Sequence, residues 1–196
     1  MNPGARTILC GLIAGFSLCL CHPALADIYR FRDERGVWHF SNIKSDPRYK
    51  IYIRTYDGSK PVTQYIKDYD EIIHKASKRY GVDVSLIKAV IKAESDFNQH
   101  AVSSKGAQGL MQLMPGTADA MDVDDPFDAT DNIHGGTRYL SLMLEKFKND
   151  TRLALAAYNA GPERVAEYRG VPPYQETKAF IDRVLSYYRQ FNSSSK

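Results

Sequence analysis

From Tyr65 onward the apolar residues recur at helical spacing. Tyr65, Tyr69, Ile72, Ile73, Ala76 and Tyr80 fall on one face of a helix. Gly81 is a stop for it, and Asp83 is placed to cap the next helix. Leu86, Ile87, Val90 and Ile91 give that second helix its buried face. Pro115 suits the first turn of a short helix running through Thr117, Ala118 and Met121. Another helix is predicted from about Asn132 to Lys148, with Ile133, Tyr139, Leu140, Leu142, Met143, Leu144 and Phe147 on its apolar side. One more starts at Thr151, turns Leu153, Leu155 and Ala156 inward, and stops at Tyr158-Asn159-Ala160-Gly161-Pro162. The last spans roughly Gln175 to Phe191, with Phe180, Ile181, Val184, Leu185 and Tyr188 as its core residues.

Ahead of these helices the period changes from 3.6 to 2. Ile28, Arg30 and Arg32 alternate with Tyr29 and Phe31, and Val37 to Phe40 follow the turn Asp33-Glu34-Arg35-Gly36. Two short strands joined by a turn are predicted, and Tyr49 to Arg54 reads as a third. A lone hairpin is marginally stable, so this region is expected to lean on the helical part or to belong to a small module with Tyr49 to Arg54. Trp38 reads as a packing residue. Asp57-Gly58-Ser59-Lys60-Pro61 is a turn cluster and marks the boundary.

The first residues have the form of an export signal. Arg6 gives a positive start, Ile8 to Leu20 is apolar but short for a membrane span, and Ala24-Leu25-Ala26 is a small-x-small cleavage pattern. An uncleaved anchor is the alternative reading. The division expected is a signal peptide over 1–26, a small β-hairpin region and linker over 27–60, a helical domain over 61–192 and a tail over 193–196. All three cysteines, Cys10, Cys19 and Cys21, lie in the signal. The mature chain then has neither disulfides nor cysteine chemistry, and must be held by its core. A net charge of +3 over 196 residues, without a basic cluster, argues against a nucleic-acid partner.

One residue breaks the apolar pattern. Glu94 lies four residues beyond Val90 and seven beyond Ile87, on the buried face of its helix and at the helix C-terminus. Burial and the helix dipole both disfavour a carboxylate there and raise its pKa, the condition of a general acid. On position alone, a solvated helix-end Glu is an equal reading. The acidic stretch Asp122, Asp124, Asp125, Asp128 and Asp131 lacks the central Gly and closing Glu of a calcium loop. It reads as a solvated loop whose acids cap the next helix, and neither metal nor cofactor is expected.

Glu94-Ser95-Asp96-Phe97, Ala101-Val102-Ser103, Gly106 through Ala118 (GAQGLMQLMPGTA), Ala157-Tyr158-Asn159-Ala160-Gly161-Pro162 and Pro173-Tyr174-Gln175-Glu176-Thr177 occur in that order. Together they resemble the soluble lytic transglycosylase family, over about Tyr69 to Phe191. The resemblance implies a mainly α fold, a goose-type lysozyme-like helical catalytic domain here preceded by a small N-terminal β region. It implies cleavage of the β-1,4 bond from N-acetylmuramic acid to N-acetylglucosamine in peptidoglycan, with a 1,6-anhydro product. By the same matching Glu94 is the catalytic acid, then the base. Ser103, Gln112, Met114, Tyr158, Asn159, Tyr174 and Glu176 would bind the glycan, with Tyr158 and Asn159 also helping to hold Glu94. Gln99 stands where the family often has Pro, with only a local loop effect expected.

The partner implied is the peptidoglycan glycan strand, in the periplasm, met by a monomer. The N-terminal hairpin region leaves room for a cell-envelope protein partner. Two other functions stay open from the sequence. One is a lysozyme- or chitinase-type hydrolase, which needs a second carboxylate from Asp96, Asp122 or Glu176. The other is a noncatalytic wall-binding component of a secretion apparatus.

Overall fold

The computed structural model describes residues 28–53 and 62–193 of the chain. The expected signal, its cysteines and the boundary cluster at 57–61 lie outside the described residues. Within them, three strands are followed by seven helices.

Strands β1 (Ile28–Arg32), β2 (Trp38–Ser41) and β3 (Lys50–Ile53) form one antiparallel sheet in the order β2-β1-β3. The turn between β1 and β2 is held by Asp33, whose carboxylate accepts the backbone N–H groups of Arg35 and Val37, each at 2.9 Å. Gly36 supplies the left-handed residue at φ 81°. Phe31 pairs with His39 across the strands, the rings stacked at 4.6 Å, while Tyr49 meets Phe31 edge-on at 4.8 Å. The sheet leans on the helical part, as a sheet this small must. Lys50 Nζ reaches Asp124 at 2.6 Å, and Arg30 lies 3.7 Å from Asp119.

The helices are α1 (Val62–Tyr80), α2 (Val84–Ser95), α3 (Pro115–Ala120), α4 (Ala129–Lys146), α5 (Thr151–Ala160), α6 (Pro162–Glu167) and α7 (Gln175–Ser193). Gly81 ends α1 at φ 69°. Asp83 caps α2 by accepting from the Leu86 N–H at 3.0 Å, and Asp128 caps α4 by accepting from Thr130 and Asp131. The acids before α4 therefore include its cap, as their sequence suggests. The predicted stop at Tyr158–Pro162 ends α5 but does not begin a loop. Gly161 turns the chain at φ 91° and Pro162 starts α6 at once, because a proline at the first helical position gives up no intrahelical bond.

Helix α2 is the central element. It packs on α7 and α1. Ile87, Ala89, Val90 and Ile91 have no solvent exposure, and they share one core with Ile73, Leu140, Leu155, Phe180 and Ile181. Each large aliphatic side chain buried this way contributes roughly 1.5–3 kcal/mol. The described residues contain no cysteine, so this core has to hold them together.

Gln99 reaches beyond its own loop. Its side chain accepts from the Tyr69 hydroxyl at 2.9 Å and donates to the Phe127 carbonyl at 2.7 Å. It thereby ties α1 to the loop before α4, where only a local effect is expected from the sequence.

Candidate active site

The end of α2 is fixed by a reversal that few residues favour. Asp96 and Phe97 both adopt left-handed backbone, at φ 54° and 62°. Such a conformation costs a non-glycine residue about 1 kcal/mol or more. The turn drops the Phe97 ring into the core, 1 % exposed, and that burial offsets the strain. Lys92 pairs with the Asp96 carboxylate one turn away. Ser95 then sews the helix end to the next segment: its hydroxyl reaches the Leu110 carbonyl at 2.7 Å and the Ile91 carbonyl at 3.2 Å.

The Gly-rich run is a tightly bridged loop. Gln108 and Leu113 exchange both backbone hydrogen bonds, at 2.9 and 3.0 Å, and the Gly109 N–H donates to the Ala101 carbonyl at 2.9 Å. Gly109 sits at φ 77°, and a Cβ there would lie 2.1 Å from the Pro126 carbonyl oxygen and 2.3 Å from Asn132 Nδ2. No side chain can replace its hydrogen without moving backbone. Gln112 also takes a left-handed conformation, φ 48°. Its amide nitrogen donates to Ala101 and Gly109 carbonyls at 3.0 and 2.9 Å. Both protons of that amide hold the loop, and among the described residues its oxygen has no donor.

The polar centre of this loop comes from a residue that sequence reasoning treats only as a helix start. Asn132, 1 % exposed on α4, accepts from the Met111 N–H at 2.7 Å and donates to the Gln108 and Pro126 carbonyls at 3.0 and 2.8 Å. Next on α4, Gly136 lets Met111 lie against the helix backbone, since a Cβ there would come within 2.5 Å of the Met111 sulfur. Asn132 and Gly136, four residues apart, fall on one helix face. That spacing is the signal available in the sequence.

These elements enclose a cavity of about 300 Å³ with Glu94 in its wall. Ser103, Gln112, Met114, Tyr158, Asn159 and Glu176 line the same cavity. Tyr174 does not. It lines an adjoining cavity of about 350 Å³ that shares Lys105, Asn159 and Glu176 with the first. Met114 is 44 % exposed, whereas Met111, Leu110 and Leu113 are buried. Met114 thus stands at the cavity wall and not in the core with its neighbours. Lys105 and Tyr139 also border the cavity, although nothing in their local sequence singles them out. Lys105 crosses it to the Glu176 carboxylate at 2.8 Å.

The expected hold of Tyr158 and Asn159 on Glu94 is not a hydrogen bond. The Tyr158 hydroxyl donates to the Met111 carbonyl at 2.8 Å, and Asn159 Oδ1 accepts from the Thr177 hydroxyl at 2.8 Å. Both residues brace the walls. The Tyr158 ring lies 5.2 Å from that of Tyr139 and stacks at 6.5 Å on Phe180. Among the described residues, nothing donates a hydrogen bond to the Glu94 carboxyl.

Desolvation therefore meets no opposing hydrogen bond. Burial pushes the Glu94 carboxyl up to about 8, against the pull of Arg183 and with a further push from Glu176. At neutral pH it holds its proton. Burial and the nearby Glu94 and Tyr139 likewise keep the Tyr158 hydroxyl protonated, raised well above its ordinary value. The arrangement is a neutral carboxylic acid in a half-buried wall, facing a groove lined by amide, hydroxyl and aromatic groups. It can deliver a proton to an oxygen placed in the groove and take one back. Asp96 and Asp122 lie away from the cavity, paired with Lys92 and Arg138.

Residues 71–181 match the family model described as "Transglycosylase SLT domain", and residues 15–64 match "Domain of unknown function (DUF4124)". A transglycosylase of Enterobacteria phage PRD1 is 42 % identical over 46 % of this chain and 34 % of its own. The soluble lytic murein transglycosylase of Escherichia coli K12 is 32 % identical over 63 % of this chain and 23 % of its own. Membrane-bound lytic murein transglycosylase F 1 of Alkalilimnicola ehrlichii is 34 % identical over 60 % of this chain and 27 % of its own. The chain thus spans between about a quarter and a third of the length of these relatives. Among solved structures, an inactive mutant of lytic transglycosylase Slt from Pseudomonas aeruginosa superposes with a TM-score of 0.62 and 30 % identity, covering 67 % of this chain and 25 % of that one. The 70 kDa soluble lytic transglycosylase of Escherichia coli gives 0.59 and 28 %, covering 65 % and 24 %.

Proposed function

The chain belongs to the transglycosylase SLT family, and on that premise we propose that it is a peptidoglycan lytic transglycosylase in which Glu94 performs both proton transfers. The observation that carries this reading is the Glu94 carboxyl itself, desolvated, without an internal hydrogen-bond donor and pushed up to about 8. The neutral acid donates its proton to the glycosidic oxygen as the bond from C1 of the muramoyl residue breaks. The positive charge builds on C1 and its ring oxygen. Glu94, now a carboxylate, takes the proton of the muramoyl C6 hydroxyl as that oxygen closes onto C1. One C–O bond breaks, one forms, and the proton balance of the acid returns to its start. No water is consumed, so no second carboxylate has to position one, in contrast to ordinary glycosidases.

The groove residues take positioning roles in this reading. Ser103, Gln112 and Asn159 present hydroxyl and amide groups suited to sugar hydroxyls and N-acetyl groups. Met114 and Tyr158 supply apolar surface for a pyranose face. Tyr174 extends the path into the adjoining cavity. Glu176 is the one alternative second acid that borders the cavity, but Lys105 neutralises it across the groove.

The substrate is then a glycan strand of the cell wall, reached after export through the N-terminal segment. No helix among the described residues is long and apolar enough to cross a membrane. Mass spectrometry of muropeptides released from purified sacculi tests the chemistry. New ends carrying the 1,6-anhydro mass support the reading. Reducing ends, each heavier by one water, turn it into a hydrolase.

A further inference from the structure

A second cavity lies on the far side of α3, outside the site just described. It has a volume of about 460 Å³ and is built at the joint between the N-terminal sheet and the helical domain. Its lining straddles the two family-matched segments: Arg30, Arg48 and Lys50 come from the sheet side, and Asp119, Asp122 and Asp124 from α3 and the loop after it. Phe31 and Val123 give it apolar floor. Helix α3 is the wall between the cavities, since Met114 and Thr117 border the Glu94 groove while Ala118 and Asp119 border this one.

The cavity is bipolar. Cations stand on one side and carboxylates on the other. Arg30 is 8 % exposed, and burial draws its guanidinium below its ordinary value while Asp119 opposes the shift. A charged group this recessed at a cavity wall marks a place where a charged ligand group would gain most. The Lys50–Asp124 pair beside it is solvent-exposed on both partners. Exposed pairs of this kind are weak and exchange readily with charges brought by a ligand. The Tyr52 hydroxyl lies near Gly106, 3.8 Å from where a Cβ on that glycine would stand, so the sheet comes beside the loop that carries Lys105 and Ala107. A branch of a strand lying in the groove has only α3 to pass to reach this cavity.

We propose that this joint cavity receives the stem peptide of the glycan strand, a short peptide carrying both carboxylate and ammonium groups, on the reading that the substrate is peptidoglycan. Its carboxylates would face the Arg30, Arg48 and Lys50 side, and its ammonium group the Asp119 and Asp124 side. The N-terminal module then makes the enzyme prefer strands that still bear peptides, and its sequence match of unassigned function acquires a ligand.

The test uses the full mature chain and the free tripeptide L-alanyl-γ-D-glutamyl-diaminopimelate, titrated while backbone amide resonances are followed. A charge-swapped Lys50→Asp/Asp124→Lys variant keeps the docking pair and inverts its polarity. Saturable shifts at Arg30, Lys50, Asp119 and Asp124 in the parent, with binding at least about tenfold weaker in the swap, support the proposal. In parallel, the ratio of kcat/KM on peptide-bearing to peptide-free strands should fall in the swap. Absence of saturable shifts, shifts confined to the Glu94 groove, or equal binding by the swap overturns it. If the parent cleaves neither kind of strand, the transglycosylase reading fails instead, which the peptide titration alone does not decide.

Discussion

The Tyr158 hydroxyl and the Glu94 carboxyl face one cavity, yet the hydroxyl donates to the Met111 carbonyl at 2.8 Å and not to the acid. The tyrosine thus serves the bridged loop, and the acid is left without an internal donor. A hydrogen bond to the carboxylate would lower the pKa of Glu94. Its absence leaves desolvation to set the value, at about 8.

Glu94→Gln is expected to stabilise the fold in a pH-dependent way. The folded pKa is raised from 4.5 to about 8. The unfolded chain releases this proton first, so stability is fully present below pH 4.5 and is lost as the pH rises toward 8. A tenfold difference in proton affinity between the folded and unfolded chains is worth about 1.36 kcal/mol, which bounds the effect at on the order of 5 kcal/mol; solvent reaching the groove reduces it to about 1–3 kcal/mol. Thermal unfolding of both proteins from about pH 4.5 to about pH 9 should show the variant's advantage growing across that window. A constant difference would place the carboxyl in water.

Activity should show the same group from the other side. The free enzyme needs Glu94 protonated, so kcat/KM on peptidoglycan should decline on the alkaline side with an apparent pKa near 8. Glu94 contributes no acid limb, because the carboxylate is needed only after the proton has been given away. A decline centred near pH 4.5, the ordinary value, would contradict the burial of the acid.

Tyr158→Phe should cost about 1–3 kcal/mol, because it strands the buried Met111 carbonyl. The ring packing on Tyr139 and Phe180 is kept. Chemical denaturation measures the loss, and turnover should fall with little change in the alkaline pKa. A large pKa change would mean that the hydroxyl acts on Glu94 directly.

Asn132→Leu should be among the most damaging substitutions away from the catalytic acid. It removes three buried hydrogen bonds and leaves the Met111 N–H and the Gln108 and Pro126 carbonyls without that partner. The expected loss is roughly 3–5 kcal/mol. Gly109→Ala should be comparable, given its φ of 77° and the 2.1 Å approach to the Pro126 oxygen. Unfolding midpoints of the two variants check both statements; a change under about 1 kcal/mol would show that the loop tolerates other conformations.

Much of this organisation is legible in the sequence, because helix faces and caps are local. Asp83 and Gly81 set the boundary between α1 and α2, and the Val90–Glu94 spacing alone puts a carboxyl on the apolar face. The missing parts depend on contacts distant along the chain. Asn132 organises a loop more than twenty residues earlier, and a short polar residue near a helix start gives no local sign of that. Lys105 meets Glu176 across the groove, a pairing set by the placement of α7 and not by spacing. Gln99 binds Tyr69, thirty residues away, for the same reason. Tyr174 belongs to a late motif near Glu176, but the turn before α7 puts it in the neighbouring cavity.

The assignment of both proton transfers to Glu94 is tested most directly by the turnover of Glu94→Gln on purified sacculi, measured with the variant's thermal unfolding and its binding to the same sacculi. The expected result is a folded protein that still binds the wall and releases no 1,6-anhydro muropeptides above background. Substantial release by the folded variant would contradict it and move the acid to another residue.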